Sequence, residues 1–417
     1  AEKLKDENWK PDYGPSKFNA GAGATVMGMR DFLIAYNINL NTKDQRLATD
    51  IAFELRESGR SKRIPKPNSP NLLDGEIVRN KDGSPVKVPG IFKDVKGVGW
   101  YIDTFKRAQI SINFNNYKNS TIHDVFDAAC KLADERGIRV TGSELVGLIP
   151  LDAIIMAGKY YLQKQGRTIG VPESDIIESA VQSLGLNDVT PFVPKEKIIE
   201  FAVGGKSGNL MSLSVDGFTN ELSSNSPAPG GGSVAALAGS LGAALSSMVA
   251  ALTHEKKGFE SQKIEMDMIG QNAQAIKDRL SFLVDEDTHA FNKVMAANRL
   301  LASNDEEKTM KADGVLKANQ YAIDIPFEVA TLCYSIIELA DVLVSKGNPN
   351  SVSDAGVAAE VALAGVRGAA MNVLINLPSV DDEAYCGKKR NDVNDLIQKA
   401  EAKHKVVFDK TIGVINS

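Results

Sequence analysis

Leu222 to Leu252 contains no Asp, Glu, Lys or Arg. Cysteine is scarce along the whole chain. Cys130, Cys333 and Cys386 lie far apart and are odd in number, which argues against a disulfide framework and for a reducing, cytoplasmic setting. The four histidines, His123, His254, His289 and His404, form no HxxxH or HExxH pair, so no metal site is indicated. Excess charge of either sign is also missing. The net charge of -5 gives no general pull toward nucleic acid or an anionic membrane. Ala1 to Tyr13 has no apolar core and is not a signal peptide. What remains is ordinary globular material, 43% hydrophobic and 24% charged over 417 residues, long enough for about two or three domains.

The uncharged stretch organises the rest. Its part Pro227 to Leu252 reads PAPGGGSVAALAGSLGAALSSMVAAL. Pro227, Pro229 and Gly230-Gly231-Gly232 cannot start a helix, and Ser233 is the expected N-cap. Beyond it Ala, Gly and Ser recur on every face, with Leu237, Leu241, Leu245, Met248, Val249 and Leu252 along one stripe. A helix this thin lets another backbone or a flat ligand come close, and the bare amides at its start form a positively polarised nest. A phosphate loop needs Lys after the glycines, where Ser233 and Val234 stand. A dinucleotide fingerprint needs a preceding strand, which Glu221 to Pro229 is not. Small residues and the His254-Glu255-Lys256-Lys257 that follows argue against a membrane span. A buried central helix with a tight entry loop and a ligand loop both fit the spacing.

The first half alternates strands and helices. Phe32–Leu40 reads as a strand, Lys43–Glu57 as a helix capped by Thr42, and Val98–Ile102 with Gln109–Asn115 as a hairpin. A helix over Ile122–Arg136, a strand over Arg139–Thr141 and a helix over Leu151–Lys164 follow. This order suggests a ferredoxin-like α/β sandwich. Asn37, Asn39, Gln109, Ser111, Asn113 and Asn115 share one uncharged sheet face, which is either an exposed face low in charge or a docking and ligand face with Asn37, Asn39, Ser111 and Asn113 bordering a cleft. Helices over Pro172–Leu184 and Lys195–Val203 lead to the flexible Gly204-Gly205-Lys206-Ser207-Gly208. Domains are expected at 1–203 and 212–417 with a linker at 204–211. The second is an all-α bundle of helices at Ser212–Ser223, Ser233–His254, Glu260–Ala296 with a candidate break near Asp285, Asp305–Ile323, Pro326–Lys346, Ser353–Asn376 and Asp381–Ile415.

Within it, Ile276, Leu280, Leu283, Val284, Phe291, Val294 and Met295 form an apolar stripe that also carries Asp287. A carboxylate there is costly unless paired or functional. It is either a proton shuttle with a raised pKa or a partner for an Arg or a helix N-terminus. The neighbouring Asp285, Glu286 and His289 read as a solvated face. In Gly347 to Asp354, Ser353 reads as an N-cap and Asp354 as a first-turn acid. Asn372 and Asn376, four apart on an apolar helix, either pair with other helices or touch a ligand.

Four motifs in this order, PAPGGGSVAA, LVDEDTHAF, GNPNSVSDAGVAA and RGAAMNVLINL, resemble the cyclodeaminase domain of the formiminotransferase-cyclodeaminase family, over about Ser212 to Asn416. PDYGPSKFNAGAGATVMGMRDFLIAYNINL, KGVGWY and GSELVGLIP resemble the C-terminal subdomain of glutamate formiminotransferase, over about Trp9 to Val203. The resemblance implies a folate enzyme of histidine degradation. One half moves a formimino group from N-formimino-L-glutamate to tetrahydrofolate; the other closes the product to 5,10-methenyltetrahydrofolate and expels ammonia. A methenyltetrahydrofolate cyclohydrolase is the alternative. The resemblance matches Asp287 to the active-site aspartate, and Gly14-Pro15-Ser16-Lys17-Phe18-Asn19-Ala20-Gly21-Ala22-Gly23 to the folate-binding stretch. Glu144, Pro229, Gly230, Gly231, Gly232, Ser233, Asp354, Asn372 and Asn376 complete the candidate substrate-binding residues. Tetrahydrofolate as the carrier, no metal, and a homo-oligomer, as a dimer or ring octamer, are implied. The family's HKGEHPR-like motif is not in this sequence, so the N-terminal transferase subdomain is expected to be lacking, with His123, read as a capping or surface residue, a poor substitute for its histidine.

Overall fold

The computed structural model describes all residues except Ala1, Lys3, Lys5, Pro70 and 205–209. Apart from Gly204, the expected flexible run Gly204–Gly208 therefore lies outside the described residues. In chain order the elements are β1 (Ile34–Leu40), α1 (Gln45–Leu55), β2 (Arg60–Ser61), β3 (Arg63–Ile64), β4 (Glu76–Ile77), β5 (Lys87–Val88), β6 (Val95–Ile102), β7 (Arg107–Phe114), α2 (Ile122–Asp134), β8 (Val140–Val146) and α3 (Leu151–Lys164). Then come α4 (Glu173–Leu184), α5 (Pro194–Lys197), α6 (Ile199–Val203), α7 (Val215–Leu222), α8 (Gly231–Glu255), α9 (Lys263–Arg299), α10 (Asp305–Lys346), α11 (Val352–Asn376) and α12 (Glu383–Ile415). They form two units. One comprises Ala1–Ala153 with Gly185–Val193; the other comprises Ile154–Leu184 with Pro194–Ser417.

The first unit is mixed α/β around a four-stranded antiparallel sheet in the order β6-β7-β1-β8. Alternation in β1 buries Ile34, Tyr36, Ile38 and Leu40 on one face, opposite Ile110, Ile112 and Phe114 of β7. Asp44, not Thr42, caps α1: its carboxylate accepts from the Arg46 N–H, while the Thr42 hydroxyl supports Asp44 itself. The last strand is longer than the expected Arg139–Thr141. Gly142, Ser143 and Glu144 pair with Asn39, Ile38 and Asn37, because β1 offers them a free edge. His123, expected at the surface, is buried in α2, where Thr121 is the cap.

The amide-rich face is partly used up from within. Asn37 donates to Glu144 Oε2 at 3.3 Å, and Gln109 Nε2 donates to Asn39 Oδ1 at 2.6 Å. Asn39 in turn donates to Asp188 Oδ2 at 2.9 Å, which also takes Arg107 at 2.7 Å. Asn37, Asn39 and Gln109 are buried, so they do not border an open cleft; Ser111 and Asn113 remain outside this network. Two carboxylates from distant positions satisfy the amides, a long-range pairing that strand periodicity does not carry.

The second unit is helical. The stretch without charge forms α8, which packs against α9, α10 and α11 at once. Its small residues do this: Ala235, Ala236, Gly239, Ala243, Ser246 and Ala250 are buried, while Leu241, Met248 and Leu252 of the leucine stripe face outward. Close helix approach explains the inversion. A Cβ on Gly239 would lie 2.4 Å from the Cys333 sulfur, so no side chain fits between α8 and α10 there. Gly231–Glu255 and Pro349–Ser379 are long and apolar enough to cross a membrane, and both are core helices of this bundle.

The two helices expected on either side of Pro326 are one, α10. Proline has no N–H for the carbonyl of Ala322 four residues back. The side chain of Asn376 on α11 replaces it, its Nδ2 donating to Ala322 O at 2.9 Å. We expect Asn376→Leu to cost about 1–3 kcal/mol of helical-unit stability by orphaning that carbonyl. The loss should be smaller in a Pro326→Ala background, where the restored N–H can take the acceptor. Urea unfolding of the four variants followed by circular dichroism checks the coupling.

Candidate active site

The first turn of α8 has no side-chain cap of its own. Helix α8 starts at Gly231 with Gly230 as N-cap, not at Ser233. The cap comes from α9: Asp287 accepts from the Ser233 backbone N–H, and the Ser233 hydroxyl lies 3.2 Å from Asp287 Oδ2. That hydroxyl also lies 2.9 Å from the Val284 carbonyl oxygen, and its single proton serves one acceptor at a time. An inter-helix carboxylate thus frees the glycines to be helical. Gly232 is obligatory here, since a Cβ would stand 2.0 Å from Asp287 Oδ1.

Asp287 opens onto a cavity of about 320 Å³. Pro227, Ala228 and Gly230 to Gly232 form one wall, Ala290, Phe291 and Val294 of α9 a second. Asn319 and Ala322 of α10, with Asn372, Asn376 and Ser379, close it. Burial pushes the Asp287 carboxyl above its ordinary value, against the opposing pull of the Ser233 hydroxyl and N–H. Glu286 beside it goes the other way. Burial pushes it up too, but hydrogen bonds from Tyr321, His289 and Lys293 outweigh this and hold it below the ordinary carboxylate range. Glu286 is 8% exposed, which corrects the solvated face expected for it: α10 covers that side of α9. Asp285 is half-buried and caps Leu210 N at 2.6 Å, leaving His289 as the exposed member. Of the two neighbours only Asp287 lines the cavity, so it is the carboxyl placed to exchange a proton there.

The structure gathers some of the expected site residues and separates others. Gly230, Gly231, Gly232, Asn372, Asn376 and Asp287 line one cavity, with Ser233 bonded to Asp287. One Nδ2 hydrogen of Asn372 is spent on Gly368 O and one of Asn376 on Ala322 O, so each keeps its carbonyl oxygen and one N–H for a ligand. Pro229 is buried behind the wall. Asp354 lies at the other end of α11, 18 residues or about 27 Å from Asn372, and does not line the cavity. The cap of α11 is Ser351, not Ser353, after a turn capped by Asn348. Gly14 to Gly23 and Glu144 belong to the other unit. There Asn19 Oδ1 gathers the Gly21 and Ala22 N–H groups into an exposed turn, and Glu144 holds Asn37 and Gln109. Asn319, 8% exposed and donating to Ser379 O at 2.7 Å, went unnoticed. It sits four residues from both Val315 and Ile323, the same polar-on-apolar signal that singled out Asp287. Among the described residues, no cluster of three or more His, Cys, Asp or Glu could hold a metal ion.

A raised carboxyl pKa in the folded state favours stability below the unfolded value near 3.8, and that advantage is lost as pH rises through the folded pKa. Asp287→Asn keeps an acceptor for the Ser233 N–H and removes the buried charge. It should therefore raise the melting temperature at neutral pH, with the gain vanishing below about pH 4. Thermal unfolding of both proteins from pH 3 to 8 tests this.

Residues 35–204 match the formiminotransferase domain, and residues 214–395 match the formiminotransferase-cyclodeaminase family. Formimidoyltransferase-cyclodeaminase of Mus musculus is 37% identical over 410 residues, 98% of this chain and 71% of the relative. Methenyltetrahydrofolate cyclohydrolase of Methylorubrum extorquens is 34% identical over 202 residues, 48% of this chain and 97% of that enzyme. Glutamate formimidoyltransferase of Thermoplasma acidophilum is 33% identical over 181 residues, 43% of this chain and 48% of that enzyme. Both family domains are matched, and the matches give no support to the expectation of a lacking transferase subdomain.

Proposed function

The chain belongs to the formimidoyltransferase-cyclodeaminase family, and from that premise we propose that its helical unit closes 5-formiminotetrahydrofolate to 5,10-methenyltetrahydrofolate with release of ammonia. The observation that carries this is Asp287, a carboxylate with a raised pKa, facing a cavity at the first turn of a helix. N10 of the folate attacks the amidinium carbon attached to N5 and gives its proton to Asp287. The same proton passes to the amino group of the tetrahedral intermediate. The C–N bond to that group breaks, ammonia departs, and the positive charge of the amidinium stays on the methenyl bridge. One carboxyl, raised above its ordinary value by burial, performs both transfers. Asn319, Asn372 and Asn376 supply amide acceptors for the pterin edge, and Phe291 and Val294 an apolar wall.

The matched formiminotransferase domain assigns to the α/β unit the preceding step, transfer of the formimino group from N-formimino-L-glutamate to tetrahydrofolate. The β-α-β-β-α-β order with its antiparallel sheet supports the ferredoxin-like reading of that unit. Gly14 to Gly23 and Glu144 are its proposed substrate contacts, and the cytoplasm is its proposed location. A second reading has one observation in its favour: the bacterial cyclohydrolase matched over nearly its whole length. In that reaction water attacks the methenyl carbon, and the same carboxyl takes its proton.

Incubation with 5-formiminotetrahydrofolate should raise the methenyl absorbance in step with free ammonia. Asp287→Asn should lose about 10²–10⁴-fold in that rate, with folate affinity within a few-fold. A flat trace for the parent chain, or full turnover by the variant, overturns the assignment. The outward residues Leu241, Met248, Val357 and Val361 line an apolar groove between α8 and α11, which we assign to a second copy of the chain. Met248→Glu should shift the mass measured by light scattering to a smaller species.

A further inference from the structure

One stripe of α10 runs beyond the cavity of Asp287. Lys308, Lys311, Val315 and Asn319 recur at helical spacing and line a second cavity of about 480 Å³. The two cavities share Asn319 and Ser379 and so adjoin. The stripe changes character along its length. Asn319, at the reaction end, is a buried amide; Val315 and Leu316 follow as an apolar stretch; Lys311 and Lys308 stand about 12 and about 16 Å from Asn319 along the axis. Lys308 is already paired with Asp305 at 2.9 Å. Lys311 is half-buried and, among the described residues, has no carboxylate within ion-pair distance. A half-buried ammonium with no carboxylate within ion-pair distance, in a cavity whose one other carboxylate is Asp381, can take a ligand anion.

We propose that this second cavity is the subsite for the glutamate end of the folate, with Lys311 as its carboxylate partner. The inference rests on the folate reading given above. A folate carries on N10 a flat benzoyl ring and then an amide-linked glutamate. With N10 at Asp287, the ring passes Asn319 and lies on Val315 and Leu316, and the glutamate carboxylates reach Lys311, with Lys308 behind it. Asp381 stands on the rim of the same cavity and opposes a carboxylate there. Its charge limits affinity, so that product bearing the same tail can leave.

The test compares 5-formiminotetrahydrofolate with its glutamate diamide, the same molecule with its tail charge removed. With the full chain, the KM for ring closure should be about 3–10-fold lower for the free acid, an ordinary value for a partly exposed charged pair. Lys311→Gln should erase that difference, raising the KM of the acid alone and leaving kcat and the diamide KM unchanged. Asp381→Asn should lower the KM of the acid. Equal losses on both substrates, or an unchanged KM in Lys311→Gln, would overturn the subsite. Equilibrium titration with 5-formyltetrahydrofolate and its diamide reads occupancy without turnover. If the parent chain fails to close the ring while Lys311→Gln still weakens binding of the acid and not of the diamide, the subsite stands and the assigned reaction falls.

Discussion

The helical unit depends on one contact, the carboxylate of Asp287 against the first turn of α8. Four N–H groups at a helix start need acceptors, and α8 brings only glycine to its own cap. The acceptor comes from the middle of another helix, so the two are locked in register at the point where the cavity opens. The positive end of α8 favours the ionised carboxyl, and the dry surroundings disfavour it. Burial wins, and the carboxyl is held above its ordinary value. Stability and chemistry draw on the same pair of atoms. That is why Gly232 has no alternative: any side chain would push the carboxylate off its donors.

The rest of the bundle brings other groups to that point by similar substitutions. Small residues let α8 sit in contact with three helices, so walls from α9, α10 and α11 reach one cavity. Proline in α10 frees a carbonyl beside the cavity, and an asparagine from α11 claims it. Glu286 and Tyr321 tie α9 to α10, one turn from Ala290 and next to Ala322 of the cavity lining. Each device places a polar group of one helix where another helix has a gap.

Sequence patterns exposed the parts of this that are periodic. The strand Ile34–Leu40, the hairpin of β6 and β7, and Asp287 on its stripe could be read because alternation and helical stepping are local. What failed was pairwise. Ser233 resembles a cap, and the true cap is 54 positions away. Leu241 and Leu252 of α8 look like core, and close packing turns them outward because the buried side of the helix is built mostly of Ala, Gly and Ser. Pro326 looks like a helix end unless the donor on Asn376 is known. The amides of the first sheet look open unless Glu144 and Asp188 are known. In each case a partner distant in sequence decides between two locally acceptable states.

The interleaving of the two units has a consequence for how the chain is made. Residues 185–193 complete the sheet unit, because Asp188 anchors Asn39 and Arg107, while 154–184 just before them belong to the helices. Gly170 and Thr168 find their places against Gly270 and Asp267, about 100 residues later. A ribosome adding about 5–20 residues per second needs roughly 5–20 s to supply them. During that interval the sheet unit can close, but α4 and the end of α3 have only each other to rest on. The nascent chain therefore carries an amphipathic segment that waits, bracketed by finished structure, and this interval is when binding by a chaperone or mispairing with a neighbouring chain would matter most.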